Sequence, residues 1–248
     1  MLKVTEATCG YGRRSVLHEV SIQVGNDECV CLLGENGTGK STLLKLVIGL
    51  VDSTKGSISH NGVDITLWSS SKRIKTGIAY VPQHNIVFPD MSVRENMLLG
   101  VADLPRSTRR EALERGFDIF PRLREISGRS AGVLSGGEQK MVAVGRAIAF
   151  GPRLLVCDEP SAGLSPLYVQ IMYEALNKVR ESGIAILLAE QNVSAALRFA
   201  DRAYVLDRGR VVIEETTSVL RSDDAFRTGY LLGEAFVRYS GETLSNGI

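Results

Sequence analysis

The stretch Val30-Cys31-Leu32-Leu33-Gly34-Glu35-Asn36-Gly37-Thr38-Gly39-Lys40-Ser41-Thr42-Leu43-Leu44 decides how the chain is read. An apolar run of strand length stops at Gly34, and a helical pattern, Lys40–Leu50, opens at Lys40. Between them Gly34–Thr42 fits G-x-x-x-x-G-K-[ST], in the strand-to-helix setting that this phosphate-binding pattern requires. Glycines let the backbone curl until successive amides face phosphate oxygens, and the new helix adds the positive end of its dipole. Gly34, Glu35, Asn36, Gly37, Thr38, Gly39, Lys40, Ser41 and Thr42 are therefore candidate nucleotide-binding residues. Lys40 is suited to reach the β- and γ-phosphates, and the Ser41 hydroxyl to ligate Mg²⁺.

The alternation continues along the chain. Leu154–Cys157 precedes the helical pattern Pro166–Arg180, and Ile184–Ala189 precedes Asn192–Ala200. Near-continuous apolar strands separated by helices predict an α/β fold with a mostly parallel sheet covered on both faces. Leu2–Thr8, Val20–Val24 and Gly56–His60 predict an antiparallel patch packed on its edge. Ser92–Leu99, Ser107–Phe120 and Gly136–Phe150 read as helices, which places an inserted helical subdomain at about 88–150. The core is expected at about 1–87 and 151–215, C-terminal helices at about 216–233 and a tail at 234–248.

Of 248 residues, 44% are hydrophobic and 23% charged, which is the balance of a soluble globular protein. Lys plus Arg number 29 against 28 Asp plus Glu, so a strongly basic nucleic-acid binder is disfavoured and no nucleic-acid partner is expected. The arginines between Arg106 and Arg129 are interleaved with Glu111, Glu114, Asp118 and Glu125, the pattern of a solvated helical face. No apolar run approaches the ~18–20 residues that cross a bilayer, and Met1–Gly10 lacks the pattern of a signal peptide. The expectation is a cytoplasmic protein that meets a membrane only through a partner. Cys9, Cys29, Cys31 and Cys157 form no metal-ligand spacing and read as buried thiols, with Cys29 and Cys31 on one side of a strand.

Leu154-Leu155-Val156-Cys157-Asp158-Glu159 is an apolar strand that ends in two carboxylates. In an open α/β sheet the carboxyl ends of the strands are where ligands bind. Asp158 is suited to hold the Mg²⁺ shell, and Glu159 to orient a water for in-line attack on the γ-phosphate. Leu134-Ser135-Gly136-Gly137-Glu138-Gln139 offers a second anion site, a hydroxyl and amides opening a helix.

In that order and register these segments resemble the ATP-binding-cassette (ABC) ATPases, over nearly all of Leu2–Gly233. The resemblance implies a P-loop NTPase fold with a RecA-like mostly parallel sheet, an antiparallel β patch and an inserted helical subdomain. It implies ATP and Mg²⁺ as ligands and ATP hydrolysis as the activity. Tyr11 matches the aromatic that stacks on adenine, and Gln83 the Q-loop glutamine that touches Mg²⁺ or water and couples to a membrane subunit. Ser161–Ser165 occupies the D-loop. The family's composite site further implies a head-to-tail dimer with a second ABC ATPase subunit, in which Ser135, Gly136, Gly137 and Glu138 serve the partner's nucleotide. Integral membrane permease subunits, and indirectly a solute-binding protein, complete the implied assembly, with this chain peripheral on the inner face of the cell membrane. Ile86, Val87 and Phe88 fall where the family borders its coupling groove, and equally could close the helical subdomain's own core.

Two positions depart from the common pattern. Glu190-Gln191-Asn192 stands where most relatives carry a switch histidine, and Ser165 where Asp is commoner. Gln191 can donate an amide hydrogen bond to a γ-phosphate but cannot carry a proton. Both departures resemble the ATPase subunits of branched-chain amino-acid importers, as do Phe120-Pro121-Arg122-Leu123, Gly136–Met141 and Asp223–Gly233. That resemblance implies uptake of branched-chain or other hydrophobic amino acids. An ABC system for urea, an amide or a lipid, a soluble non-transport ABC ATPase, and a regulatory module that binds ATP without turnover are the alternatives. A GTPase is disfavoured because no Asn-Lys-x-Asp motif is present.

Overall fold

The computed structural model describes residues 1–84, 86–102, 104–223 and 226. The expected tail at 234–248 and all but the first part of the expected C-terminal helices lie outside them. The chain opens with β1 (Leu2–Tyr11), β2 (Arg14–Val24), β3 (Cys29–Leu33) and α1 (Lys40–Val47). It continues through β4 (Ser53–His60), β5 (Val63–Asp64), α2 (Ser70–Ile74) and β6 (Ile78–Val81). Helices α3 (Val93–Leu99), α4 (Arg106–Ile119), α5 (Pro121–Glu125) and α6 (Gly136–Ala149) follow. Then come β7 (Leu154–Asp158), α7 (Pro166–Glu181), β8 (Ala185–Ala189), α8 (Val193–Phe199), β9 (Arg202–Asp207), β10 (Arg210–Thr216) and α9 (Thr217–Ser222).

The larger sheet has the order β10-β9-β3-β8-β7-β6, parallel throughout except for β10 on its edge. Its central strands are buried on both faces, which explains the lack of polar alternation. Alternate residues still divide between two cores. Val30, Leu32, Val156 and Leu187 pack with α1 and the antiparallel sheet, whereas Cys29, Cys31, Leu33, Leu155 and Leu188 pack with α6, α7 and α8. The two β3 cysteines thus share a side, and all four thiols are buried and free. Burial pushes the Cys9 thiol up to about 11, which removes thiolate chemistry from neutral pH.

The antiparallel sheet runs β2-β1-β4-β5. Its expected place on the sheet edge needs correction. β2 does touch the edge strand β10, but the patch also lies across the face of the larger sheet, with α1 between them and one shared core of Val4, Ile22, Leu43, Val47 and Leu187. An amphipathic sheet gains more apolar burial by covering a helix than by extending an edge. Strands β6, β9 and β10, which carry no strong signal of their own, are added by pairing with neighbours. Two of the inserted helices begin with a capping box, Ser92 with Glu95 and Ser135 with Glu138.

Helix α1 is shorter than its apolar pattern because Gly49 turns left-handed at φ 77° and the Leu50 amide returns to the Lys45 carbonyl at 2.9 Å. Its last carbonyls are closed by Arg73 of α2, whose side chain is fully buried. Nη1 donates to the carbonyls of Leu46 (2.6 Å) and Val47 (2.9 Å), Nε to Trp68 (3.0 Å) and Nη2 to Thr66 (2.8 Å). A cation there also meets the negative end of the α1 dipole. Arg73→Met strands these buried carbonyls and is expected to cost about 3 kcal/mol, read as a melting temperature lowered by ~6–12 °C.

Candidate active site

Parallel strands β3, β8, β7 and β6 lie side by side and end at one edge of the sheet. At their ends stand Gly34 after β3, Glu190 and Gln191 after β8, Asp158 as the last residue of β7 with Glu159 after it, and, two positions beyond β6, Gln83. The topology thus gathers into one row groups that are far apart in the chain.

The Gly34–Thr42 loop has the backbone that its sequence predicts. Gly34 sits at φ 150°, and a Cβ there would lie 2.5 Å from the Leu206 carbonyl oxygen. Gly39, the N-cap of α1, sits at φ 109° with Leu17 Cδ2 2.6 Å from the same imaginary atom. No side chain caps α1 and its first turn holds no acidic residue, so its leading amides are left for a ligand. Lys40 is buried, with Nζ donating to the carbonyls of Gly34 (2.6 Å) and Glu35 (2.9 Å). Burial pulls its ammonium below the usual lysine range, against the opposing influence of Glu159 and Asp158.

Ser41 Oγ donates to Asp158 Oδ1 at 2.9 Å, and Tyr80 Oη to Asp158 Oδ2 at 3.4 Å. Gln83 Nε2 donates to Glu159 Oε2 at 2.5 Å. Burial lifts the Glu159 carboxyl above the ordinary range, with Lys40 opposing and Asp158 and Glu190 reinforcing the rise. Glu159 has a left-handed backbone, φ 48°, immediately before Pro160. A cleft of about 400 Å³ opens over these groups, lined by Arg14, Val16, Asn36, Gly37, Gly39, Lys40, Ser41, Thr42, Gln83 and Glu159. On the other side of the loop a hollow of about 930 Å³ is bordered by Gly34, Glu35, Asn36 and Gln191.

The candidates suit a nucleotide with Mg²⁺. The loop curls through glycines at positive φ, Gly34 and Gly39 packed too closely on Leu206 and Leu17 for a side chain, which leaves its amides bare, and Ser41 with Asp158 is a hard oxygen pair. Among the described residues no cluster of three or more His, Cys, Asp or Glu could hold a metal alone. Such a pair is what Mg²⁺ uses when phosphates and waters supply its remaining ligands.

Other candidates lie apart from the cleft. Tyr11 is half exposed at the β1–β2 turn, paired with Arg14, which does line it. Ser135 caps α6, accepting from the Glu138 amide at 3.3 Å, and the Glu138 carboxylate answers the Ser135 amide at 3.2 Å. Glu138 is thus occupied by its own helix, and Ser135–Glu138 are not among the cleft residues of this chain. Arg14 and Val16 escaped the sequence reading because a β-hairpin carries no phosphate motif. Tyr80 escaped it because it lies in the weak strand β6.

A second hollow, about 540 Å³, lies between the sheet and the inserted helices, lined in part by Leu50, Ile74, Tyr80, Phe88, Leu99 and Arg146. Ile86 is buried and Val87 packs against the core, while Phe88 is 54% exposed. Of the three apolar residues after Gln83, Phe88 alone therefore faces outward into this groove. Buried Asn96 fixes it, accepting from the Phe88 amide at 2.8 Å and donating to its carbonyl at 2.9 Å.

The ABC transporter family profile matches residues 17–162. A high-affinity branched-chain amino acid transport ATP-binding protein, BraG of Pseudomonas aeruginosa, is 39% identical over 94% of this chain and 100% of its own length. A probable branched-chain amino acid transport ATP-binding protein, LivF of Archaeoglobus fulgidus, is 36% identical over 91% of this chain and 96% of its own. The lipopolysaccharide export system ATP-binding protein LptB of Acidithiobacillus ferridurans is also 36% identical, over 91% and 94%. Among solved structures, an ATP-binding cassette of an ABC transporter in its ADP conformation superposes with a TM-score of 0.79 at 27% identity, covering 93% of this chain and 98% of that one. With the phosphate loop, the carboxylate-ended strand and the inserted helices in one sheet-edge arrangement, this chain belongs to the ABC transporter family as one of its ATP-hydrolysing cassettes.

Proposed function

We propose that the chain energises an ABC importer of branched-chain or other hydrophobic amino acids, working on the inner face of the cell membrane as one of two cassettes. The observation that carries the catalytic part is the convergence of Lys40, Ser41, Gln83, Asp158 and Glu159 on the cleft at the sheet edge. The substrate part rests on similarity to BraG and LivF along nearly the whole chain. Similarity to LptB supports a second reading, a lipid exporter's cassette.

The loop amides and Lys40 hold the phosphates, while Ser41, Asp158 and Gln83 are placed to hold Mg²⁺, which when bound neutralises charge on the phosphate oxygens. Glu159 orients the attacking water; its hydrogen bond from Gln83 ties that carboxylate to the segment leading to the groove. Gln191 borders the hollow on the other side of the phosphate loop and is the candidate amide donor to the γ-phosphate from the β8 side. Tyr11 offers adenine a flat face beside Arg14. Ser135, Gly136, Gly137 and Glu138 form the edge offered to the nucleotide of the second cassette. The groove around Phe88 receives a helix of the permease, a helix-in-groove contact with apolar anchors. In domain terms the core is about 1–87 and 151–215, the helical subdomain about 88–150, and the C-terminal helices about 216–233 before the 234–248 tail.

Glu159→Gln is expected to keep ATP binding and lower steady-state phosphate release by ~100-fold or more. Tagged and used as bait with MgATP in detergent-solubilised native membranes, it should recover a second cassette and two integral membrane proteins whose operon or ligand identifies an amino acid. Recovery of a lipopolysaccharide-type export apparatus selects the second reading, and recovery of no membrane protein overturns both. Gln191→Ala should lower ATPase activity of the assembled transporter by about 10-fold; wild-type activity would remove Gln191 from the mechanism. Phe88→Ala should reduce recovery of the membrane proteins while leaving ATP binding unchanged, as measured by nucleotide titration.

A further inference from the structure

The loop that carries Glu159 is held from two sides by opposite charges. Lys140 of α6 donates from Nζ to the carbonyls of Glu159 (2.8 Å) and Ala162 (2.7 Å). From β8, Glu190 accepts the Ser161 amide at 3.2 Å through Oε1, and the amides of Gln191 (3.2 Å) and Asn192 (3.4 Å) through Oε2. Glu190 is 1% exposed. The ammonium takes two carbonyls of the segment 159–162 and the carboxylate takes one of its amides, that of Ser161, while its other oxygen holds the amides of its own loop; each of these peptide dipoles meets the charge that orients it. Neither side chain lines the cleft over Lys40.

A clamp of this kind has a specific task here. Glu159 adopts a left-handed backbone at φ 48°, a region that residues with a Cβ enter at a cost. Its amide is held by the Ala189 carbonyl at 2.9 Å, its carbonyl by Lys140, and its carboxylate by Gln83 at 2.5 Å. The direction of the carboxylate is set by those fixed points. Lys140 also lies on the helix that opens at Ser135, so the fixed point it provides moves with that helix.

We propose that Lys140 and Glu190 are positioning residues for ATP hydrolysis. Together they fix the backbone of Glu159 so that its carboxylate points into the phosphate cleft, and Lys140 makes that direction depend on where α6 sits. This rests on the reading of Glu159 as the water-orienting group and of Ser135 as the edge that meets the second cassette's nucleotide. A ligand that draws the start of α6 toward it shifts Lys140, and with it the Glu159 carbonyl. The nucleotide of one site thereby adjusts the carboxylate of the other.

The test compares full-length wild type, Lys140→Met, Lys140→Arg, Glu159→Gln and the Lys140→Met/Glu159→Gln double variant, by steady-state phosphate release with MgATP and by fluorescent-nucleotide titration. Lys140→Met should lower kcat by ~10- to 100-fold with nucleotide affinity held within about two-fold. Lys140→Arg, which keeps a donor cation, should fall between it and wild type. Because Lys140 acts through Glu159, the double variant should be no slower than Glu159→Gln alone; a general loss of structure would instead add to that loss. Wild-type kcat in Lys140→Met, or additive losses in the double variant, overturns the proposal. If Lys140→Met does not fold, Lys140→Arg carries the test, and wild-type kcat in that variant overturns it. Full activity in Glu159→Gln, by contrast, would overturn the reading of Glu159 itself.

Discussion

Strands buried on both faces can offer a ligand only their ends, and most of this molecule follows from that restriction. β3, β8, β7 and β6 are walled by α1 and the antiparallel sheet on one side and by α6, α7 and α8 on the other. Their side chains are committed to packing. Polar chemistry is therefore displaced to the carboxyl edge, where the backbone leaves the sheet and its amides and carbonyls become available. The order β3-β8-β7-β6 then decides the neighbours: the Gly34 loop beside Glu190, Glu190 beside Asp158 and Glu159, and these beside Gln83.

At that edge the electrostatics are dense and partly withdrawn from water. Lys40, Asp158, Glu159 and Glu190 are all buried, and each shifts the proton affinity of another. Lys40 holds two carbonyls of its own loop, a ring of donors and acceptors that a phosphate would enter with matching charge. Glu159 keeps its proton more tightly than an ordinary carboxylate because desolvation outweighs the nearby lysine. The same packing logic makes the groove around Phe88 more than a gap. Asn96 spends its side chain on holding the backbone there, which leaves an aromatic ring facing outward instead of completing the core.

Much of the site was legible because its residues are adjacent in the chain. Gly34–Thr42 declares itself through glycine spacing, and Asp158-Glu159 through two carboxylates at the end of an apolar run. Glu190 and Lys140 did not stand out. Each stood only inside a stretch of subfamily resemblance, Glu190-Gln191-Asn192 and Gly136–Met141, since nothing in the local pattern shows that the carbonyls of Glu159 and Ala162 lie under the Lys140 Nζ. Arg14 and Tyr80 were hidden for the same reason: each reaches the cleft from an element whose own sequence concerns packing or a turn. Among the apolar residues after Gln83 the composition was readable but the direction was not; Ile86 turned inward and Phe88 outward.

By itself the sequence determined the local conformations: the phosphate loop, the capped helices, the buried strands and the residue types that chemistry requires. These rest on interactions within a few positions, where glycine φ, caps and apolar periodicity act without reference to the rest of the fold. Tertiary structure alone decided which strand lies beside which, that the antiparallel sheet covers α1 across the face of the larger sheet, that Arg73 closes the end of α1, and that Lys140 and Glu190 share one loop. Those contacts join residues far apart in the chain. They exist because burying both faces of the sheet forces its ends together, and a sequence pattern of short range carries no record of that meeting.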